Sequence, residues 1–335
     1  MSIKDMPERQ IHGGVIRKLR REGLEKELLD FSASMNPFPP HVNWNPGACD
    51  LGDYPDDTYL DLKEAIGSVF SRDPGEITVG NGSVELIRIF ALVMAPTGSR
   101  SYIERSTFGE YAQSVRLAGG TITHNPEDTV DLRYFCNPNN PTGMLLSKDS
   151  IKQRLKECRN EGSILFLDEA FIDLADPDQS MVEEKDSDLF ILRSLTKAFS
   201  VPGIRFGFGF GDPDLIEAIE RTRPPWTVNR FAEMYATEAV RHLPDLAESR
   251  RKIAIEREYL TTSLRAIGYI PHQSSANYIL VDVGVSASDL VSHLLREGVL
   301  VRDCTSFGLP ESIRVAVRRH EENQILIEAL SSCAP

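Results

Sequence analysis

Between residues 60 and 195, short apolar runs alternate with longer stretches whose apolar positions recur every three or four residues. The runs "EITV" (76–79), "SYIE" (101–104), "LRYFC" (132–136), "SILFLD" (163–168) and "LFILRS" (189–194) have the form of strands, the last three of strands buried on both faces. "SVELIRIFALVM" (83–94) and "FGEYAQSVRLA" (108–118) carry helical spacing instead. Strands alternating with helices predict an α/β fold, a mostly parallel central sheet with helices on both faces. One interval breaks the rhythm. Only sixteen residues lie between Gly120 and Asn137, so "TIT" reaches "LRYFC" without room for a full crossover helix.

"RPPW" (223–226) interrupts the alternation, because two prolines cannot continue a helix. Beyond it come a long polar-faced helix, "YILVDV", a helix around "ASDLVSHLLREG", the strands "VLVRD" and "SIRVAVR", and a final helix. This is the pattern of a smaller α+β domain. Residues 1 to about 45 form an arm punctuated by "HGG", "MNPFPP" and "NWNPG", too irregular to be a domain alone. The expected organisation is an arm over 1–45 that belongs with the small domain, a large domain over 46–225 and a small domain over 226–335. No repeat or low-complexity tract interrupts it.

Composition narrows the function. The 335 residues are 41% hydrophobic and 26% charged, ordinary for a globular enzyme. A net charge of −13 argues against general affinity for nucleic acid or anionic membrane, although a local cationic pocket could still take an anionic small molecule. Five scattered cysteines without a CxxC pair read as reduced thiols, with neither a disulfide framework nor a metal site. The first ten residues show no apolar segment of a secretory leader, and no run is long enough to span a membrane. The expected compartment is the cytoplasm.

Ligands of open α/β sheets collect beyond the carboxyl ends of the strands. Four such ends carry polar or glycine-rich segments: "GNGSVE", "NPNNPTG", "DEAF" and "SLTK". Taken singly, each has a plain explanation: a turn with Ser83 as helix cap, a rigid loop, Asp168 as another cap, Lys197 as a surface lysine. Taken in this order, with Arg205 eight residues after Lys197, they resemble the fold-type-I aminotransferase superfamily. The resemblance implies the fold-type-I transferase fold and pyridoxal 5′-phosphate as cofactor, the large domain binding it. Lys197 then attaches to the cofactor aldehyde, which requires a neutral amine. Asp168 faces the ring nitrogen, Asn140 donates to the ring oxygen and Phe108 stacks on the ring. Ser83, the Val84 amide, Ser194, Thr196 and Arg205 hold the phosphate, the first two at a helix start where free N–H groups favour an anion. Tyr54, in "DYPDDTY", matches a tyrosine lent to a neighbouring subunit's phosphate, which implies a homodimer with shared sites. Phe171 departs from the wider pattern, which often has a tyrosine there.

Features outside the cofactor shell point to one branch. "HGG", "LLDFSASMNP", "LDEAFIDL", "LRSLTKAFSVPGIRFG", "PPWTVN", "ANYILV" and "VLVRDCTSFGLPESIRVAVR" resemble the threonine-phosphate decarboxylases of cobalamin biosynthesis, from His12 to the last helix. That family implies a carboxy-lyase that converts O-phospho-L-threonine to (R)-1-amino-2-propanol O-2-phosphate. Histidinol-phosphate aminotransferase, similar throughout, is the alternative. Both imply a phosphorylated substrate held by His12, Gly13, Ser34, Asn140, Arg302 and Arg314, with the division of groups between the two arginines left open. Ser34 is a departure, because that branch usually has asparagine in "DFSAN", and "HGGV" replaces the usual "HGGN".

Overall fold

The computed structural model describes residues 6–7, 10, 13–23 and 26–333. Helix α1 (Ile16–Arg21) and strand β1 (Leu29–Asp30) belong to the arm. Helix α2 (Leu60–Phe70) leads to an alternation of β2 (Ile77–Gly80), α3 (Ser83–Met94), β3 (Arg100–Ile103), α4 (Glu110–Ala118), β4 (Thr121–Thr123), β5 (Leu132–Cys136), α5 (Lys148–Glu161), β6 (Ile164–Asp168) and β7 (Leu189–Arg193). The short α6 (Leu195–Ala198), β8 (Gly207–Phe210), α7 (Pro213–Thr222) and α8 (Arg230–Ala239) follow. After the long α9 (Leu246–Ala266) come β9 (Ile270–Pro271), β10 (Tyr278–Asp282), α10 (Ala287–Arg296), β11 (Val299–Leu300), β12 (Arg302–Asp303), β13 (Ser312–Ala316) and α11 (His320–Ser331).

The apolar runs are strands of one seven-stranded sheet in the order β2-β8-β7-β6-β5-β3-β4. The pairs from β7 through to β4 are parallel, and β8 alone runs against both of its neighbours. Strand β8 was not among the expected elements, because "GFGF" reads as a breaker. Its glycines have a packing reason. A Cβ at Gly209 would stand 2.5 Å from Phe190 Cζ, and one at Gly207 2.5 Å from the Ser83 amide nitrogen. Phe208 and Phe210 fill the core from the other face. The short interval before β5 is a loop, tied to β3 by Asp131 N to the Arg100 carbonyl at 2.9 Å and Arg100 N to Asp131 Oδ2 at 2.7 Å.

Two apolar layers cover the sheet. Helices α3, α4 and α7 bury Leu86, Phe90, Tyr111 and Ile216 against Tyr134, Phe166 and Phe190. On the other face, Ile66, Leu155, Ala236 and Ile253 of α2, α5, α8 and α9 pack onto Phe135, Leu167 and Ile191. The later strands form a separate antiparallel sheet, β12-β13-β10-β9. The arm joins this end of the molecule: β1 pairs in parallel with β11, and Phe31 bridges to Leu300 (2.7 Å) and Ala316 (2.9 Å). No described helix is long and apolar enough to cross a membrane.

The ends of β6 and β7 are locked from behind. Arg193, 1% exposed, pairs with Asp173 and reaches Glu169 at 3.4 Å, while Ser180 Oγ donates to Glu169 at 2.5 Å. A buried arginine of this kind is tolerable because carboxylates face it on two sides. It holds Glu169 and Arg193, the residues next to Asp168 and Ser194, at fixed spacing.

The tight glycine face of β8 generates a stability prediction. Gly209→Ala should cost about 1–3 kcal/mol, because Phe190 is enclosed and cannot retreat. Chemical denaturation of the variant measures it, and an unchanged midpoint contradicts the packing argument.

Candidate active site

A cavity of about 610 Å³ opens at the carboxyl ends of β5, β6 and β7, walled by the arm on one side and the β12–β13 strands on the other. Its contents follow from where each strand stops. Asp168 is the last residue of β6 and Cys136 the last of β5, so both side chains meet the cavity as the chain turns away. Ser194 ends the extended run of β7 and caps α6, accepting from the Thr196 amide at 3.3 Å. One turn of helix then places Lys197 over the same opening.

A second wall is built from glycine. Gly82, at φ +84°, stands at the start of α3, where it offers no side chain to cap the helix. Ser83 and Val84 line the cavity there. A Cβ on Gly82 would collide with the guanidinium of Arg205, so only glycine lets the arginine lie across the helix start. Arg205 itself sits at φ +61°, a left-handed conformation uncommon for arginine, which turns the chain into β8.

The third wall carries two arginines. Arg302 on β12 and Arg314 on β13 are direct partners in the antiparallel register, and both are buried and line the cavity. Like charges placed opposite one another destabilise a ladder. Arg302 donates to Ser306 Oγ at 2.7 Å; Arg314 donates to Asn140 Oδ1 and, at 2.9 Å, to the Ser32 carbonyl. The two guanidinium groups give this wall a positive character that suits an anion.

Electrostatics set the state of the amine. Burial, then the nearby Arg314 and Arg205, bring Lys197 down to about 8, and Asp168 only partly opposes them. Asp168 moves the other way. Burial raises it, against donation from Tyr111, the Ala170 amide and the charge of Lys197. The site therefore holds an amine that is readily neutral beside a carboxylate that hydrogen bonds keep available.

The residues expected from sequence are largely brought together. Lys197, Asp168, Asn140, Phe108, Ser83, Val84, Ser194, Thr196 and Arg205 line one cavity, together with Gly13, Ser34, Arg302 and Arg314. His12 lies outside the described residues. Tyr54 is not in the cavity: it is 80% exposed and packs at 4.6 Å on Trp226. Phe171 lines the cavity and meets Tyr278 edge-on at 5.0 Å, so no hydroxyl occupies its position. The Ser34 hydroxyl is buried with no hydrogen-bond partner among the described residues. Sequence reading missed Gln10, Arg17, Asp30, Ser306 and Arg318, which also line the cavity. The positive charge of Arg17 and Arg318 was visible in sequence, but not the folding of the arm and of the segment after β13 towards the same opening.

The chain is similar to known proteins over most of its length. The model of the family described as aminotransferase class I and II matches residues 50–330. A provisional threonine-phosphate decarboxylase of Caldanaerobacter subterraneus is 34% identical, over 89% of this chain and 88% of its own. The structure of histidinol-phosphate aminotransferase from Clostridium acetobutylicum is 30% identical with a TM-score of 0.83, over 92% of this chain and 99% of that one. That of the Sinorhizobium meliloti histidinol-phosphate aminotransferase, in complex with pyridoxal-5′-phosphate, has a TM-score of 0.86 at 22% identity, over 98% and 95%.

The depressed lysine can be read directly. An amine-selective reagent reacts only with neutral Lys197, so its labelling should rise with a midpoint near pH 8, measured on the Lys197 peptide by mass spectrometry. Arg314→Met removes a neighbouring positive charge and should move that midpoint upward. A midpoint that stays in place in the variant contradicts the electrostatic assignment.

Proposed function

The chain belongs to the class I and II aminotransferase family, and on that premise we propose that it is a pyridoxal 5′-phosphate enzyme acting at Cα of a small phosphorylated amino compound. The observation that carries the substrate class is the Arg302–Arg314 pair, two buried cations in register that line the cavity. A doubly charged phosphate, or a phosphate with a carboxylate, satisfies both.

The donor set fits the cofactor. The uncapped start of α3, with Arg205 lying across Gly82 and the Ser194 and Thr196 hydroxyls beside it, suits a phosphate. Asp168, Asn140 and Phe108 suit the ring nitrogen, ring oxygen and ring face. Bound there, pyridoxal 5′-phosphate supplies an electron sink for negative charge developing at Cα. The protein's own groups do the rest. Lys197, brought down to about 8, can take or return a proton at Nζ. Asp168 holds a negative charge where the ring nitrogen is expected. Arg302 and Arg314 fix the anionic end of the substrate and so decide which Cα bond faces the reacting position.

Two reactions compete for this site. Aminotransfer from histidinol phosphate has the broader support among relatives, including a structure that matches 92% of the chain. Decarboxylation of O-phospho-L-threonine is the reading of the sequence motifs, and the relative with 34% identity and the hydroxyl-free Phe171 favour it. One assay pair separates them. Glutamate formed from histidinol phosphate and 2-oxoglutarate marks the transaminase; carbon dioxide released from O-phospho-L-threonine without a keto acid marks the lyase. Either way the unphosphorylated counterpart should react poorly. Removing one partner of a buried charged contact costs about 2–5 kcal/mol, so losing the phosphate should lower kcat/KM at least about 30-fold. Equal turnover of phosphorylated and unphosphorylated substrates would overturn the proposed substrate class.

The exposed Tyr54 suits a role in a second copy of the chain. Leu51, Leu60 and Trp226 are exposed as well. The proposal is a homodimer in which Tyr54 contributes to the neighbouring cofactor phosphate. Inactive Tyr54→Phe and Lys197→Ala chains, mixed under conditions that exchange subunits, should recover part of the activity. One hybrid site then carries neither lesion. No recovery, with exchange verified, counts against the shared site.

A further inference from the structure

Tyr111 follows Phe108 by three residues and was given no role in the sequence reading, yet it touches Asp168. It sits on α4, fully buried, with its ring set between Phe108 (5.6 Å, edge-on), Tyr134 (5.6 Å, stacked) and Phe166 (6.0 Å). Its hydroxyl donates to Asp168 Oδ2 at 2.6 Å. The other carboxylate oxygen, Oδ1, accepts from the Ala170 amide at 2.8 Å. Both oxygens of Asp168 are thus held, one by backbone and one by a side chain that three aromatic rings prevent from turning. We propose that Tyr111 is a positioning residue that fixes the plane of Asp168 and keeps it ionised inside the cavity.

The chemistry requires such a partner. A carboxylate as buried as Asp168 loses its hydration and drifts toward the protonated acid. A protonated Asp168 could not hold a ring nitrogen in its cationic form. A hydroxyl donor strengthens the anion without adding charge, so it does not compete with the ring as a second cation would. Phe108 stands two residues before α4 and Tyr111 is its second residue; the Tyr111 amide donates to the Phe108 carbonyl at 3.3 Å, so one turn ties the ring that lines the cavity to the residue that carries the hydroxyl. The other ionisable groups around Asp168 are Lys197 from α6, Cys136 from β5 and Tyr278 from β10. Burial holds Cys136 and Tyr278 neutral, and the positive charge of Lys197 acts on Asp168 against its burial. Further out, Arg314 and Arg205 act on Lys197, and Glu104 on Cys136.

The inference rests on the proposed role of Asp168 only for its meaning; the coupling itself exists without cofactor. Tyr111→Phe keeps the ring and removes the donor. Asp168 is already raised by burial in the folded chain, and losing the donor raises it further. Parent and variant then differ least at low pH, where Asp168 is protonated in both. The gap widens as pH rises through the folded pKa of the parent and levels off above that of the variant. Melting of the full chain, freed of carbonyl ligands with hydroxylamine and followed across a pH series, should show this widening as pH rises. In an Asp168→Asn background the same substitution should give a gap that does not change with pH. A constant gap in the Asp168 chain, or an equal slope in both backgrounds, overturns the proposal. No cofactor takes part, so an error in the cofactor assignment leaves this outcome readable.

Discussion

The arrangement turns on one electrostatic fact: the buried Lys197 amine lies under the influence of Arg314 and Arg205, which Asp168 only partly opposes. A full positive charge there is costly, since burial and both guanidinium groups act against it. The neutral amine is consequently within reach near physiological pH, which is the property a nucleophilic or proton-carrying lysine requires. Removing the strand ends would remove the effect. β6 must deliver Asp168, α6 must follow Ser194 by one turn, and β13 must bring Arg314 from a different sheet.

Those demands explain features that look like imperfections of packing. The glycines of β8 and Gly82 let the start of α3 and Arg205 approach more closely than side chains allow. Arg193 remains charged in the interior because Asp173 and Glu169 flank it, and this fastens β6 to β7 one residue away from Asp168 and Ser194. Opposed arginines on β12 and β13 would be a liability in a purely structural sheet. In the proposed enzyme they are the device that selects an anionic substrate.

Much of this was legible in the sequence, and unevenly. The buried strands announced themselves as apolar runs because both faces are covered, and their polar terminations marked the cavity. Lys197, Asp168, Asn140 and Arg205 could be assigned together because the order of their segments is distinctive. Strand β8 was not legible, since its glycines answer a helix whose approach no local pattern records. Tyr111 was hidden for the opposite reason: at helical spacing it reads as one more core aromatic, and only the position of Asp168 across the sheet shows where its hydroxyl points. Arg318 and Asp30 lie in segments whose meeting depends on the pairing of β1 with β11 and of the chain around Phe31 with β13.

The central claim is that Lys197 is the residue to which the cofactor attaches. The direct measurement is borohydride reduction of the full chain incubated with pyridoxal 5′-phosphate, followed by peptide mapping in a mass spectrometer. The account predicts one stoichiometric pyridoxyl adduct, carried by the peptide that contains Lys197 and lost in Lys197→Ala. A stoichiometric adduct on any other lysine, or none at all, would contradict it.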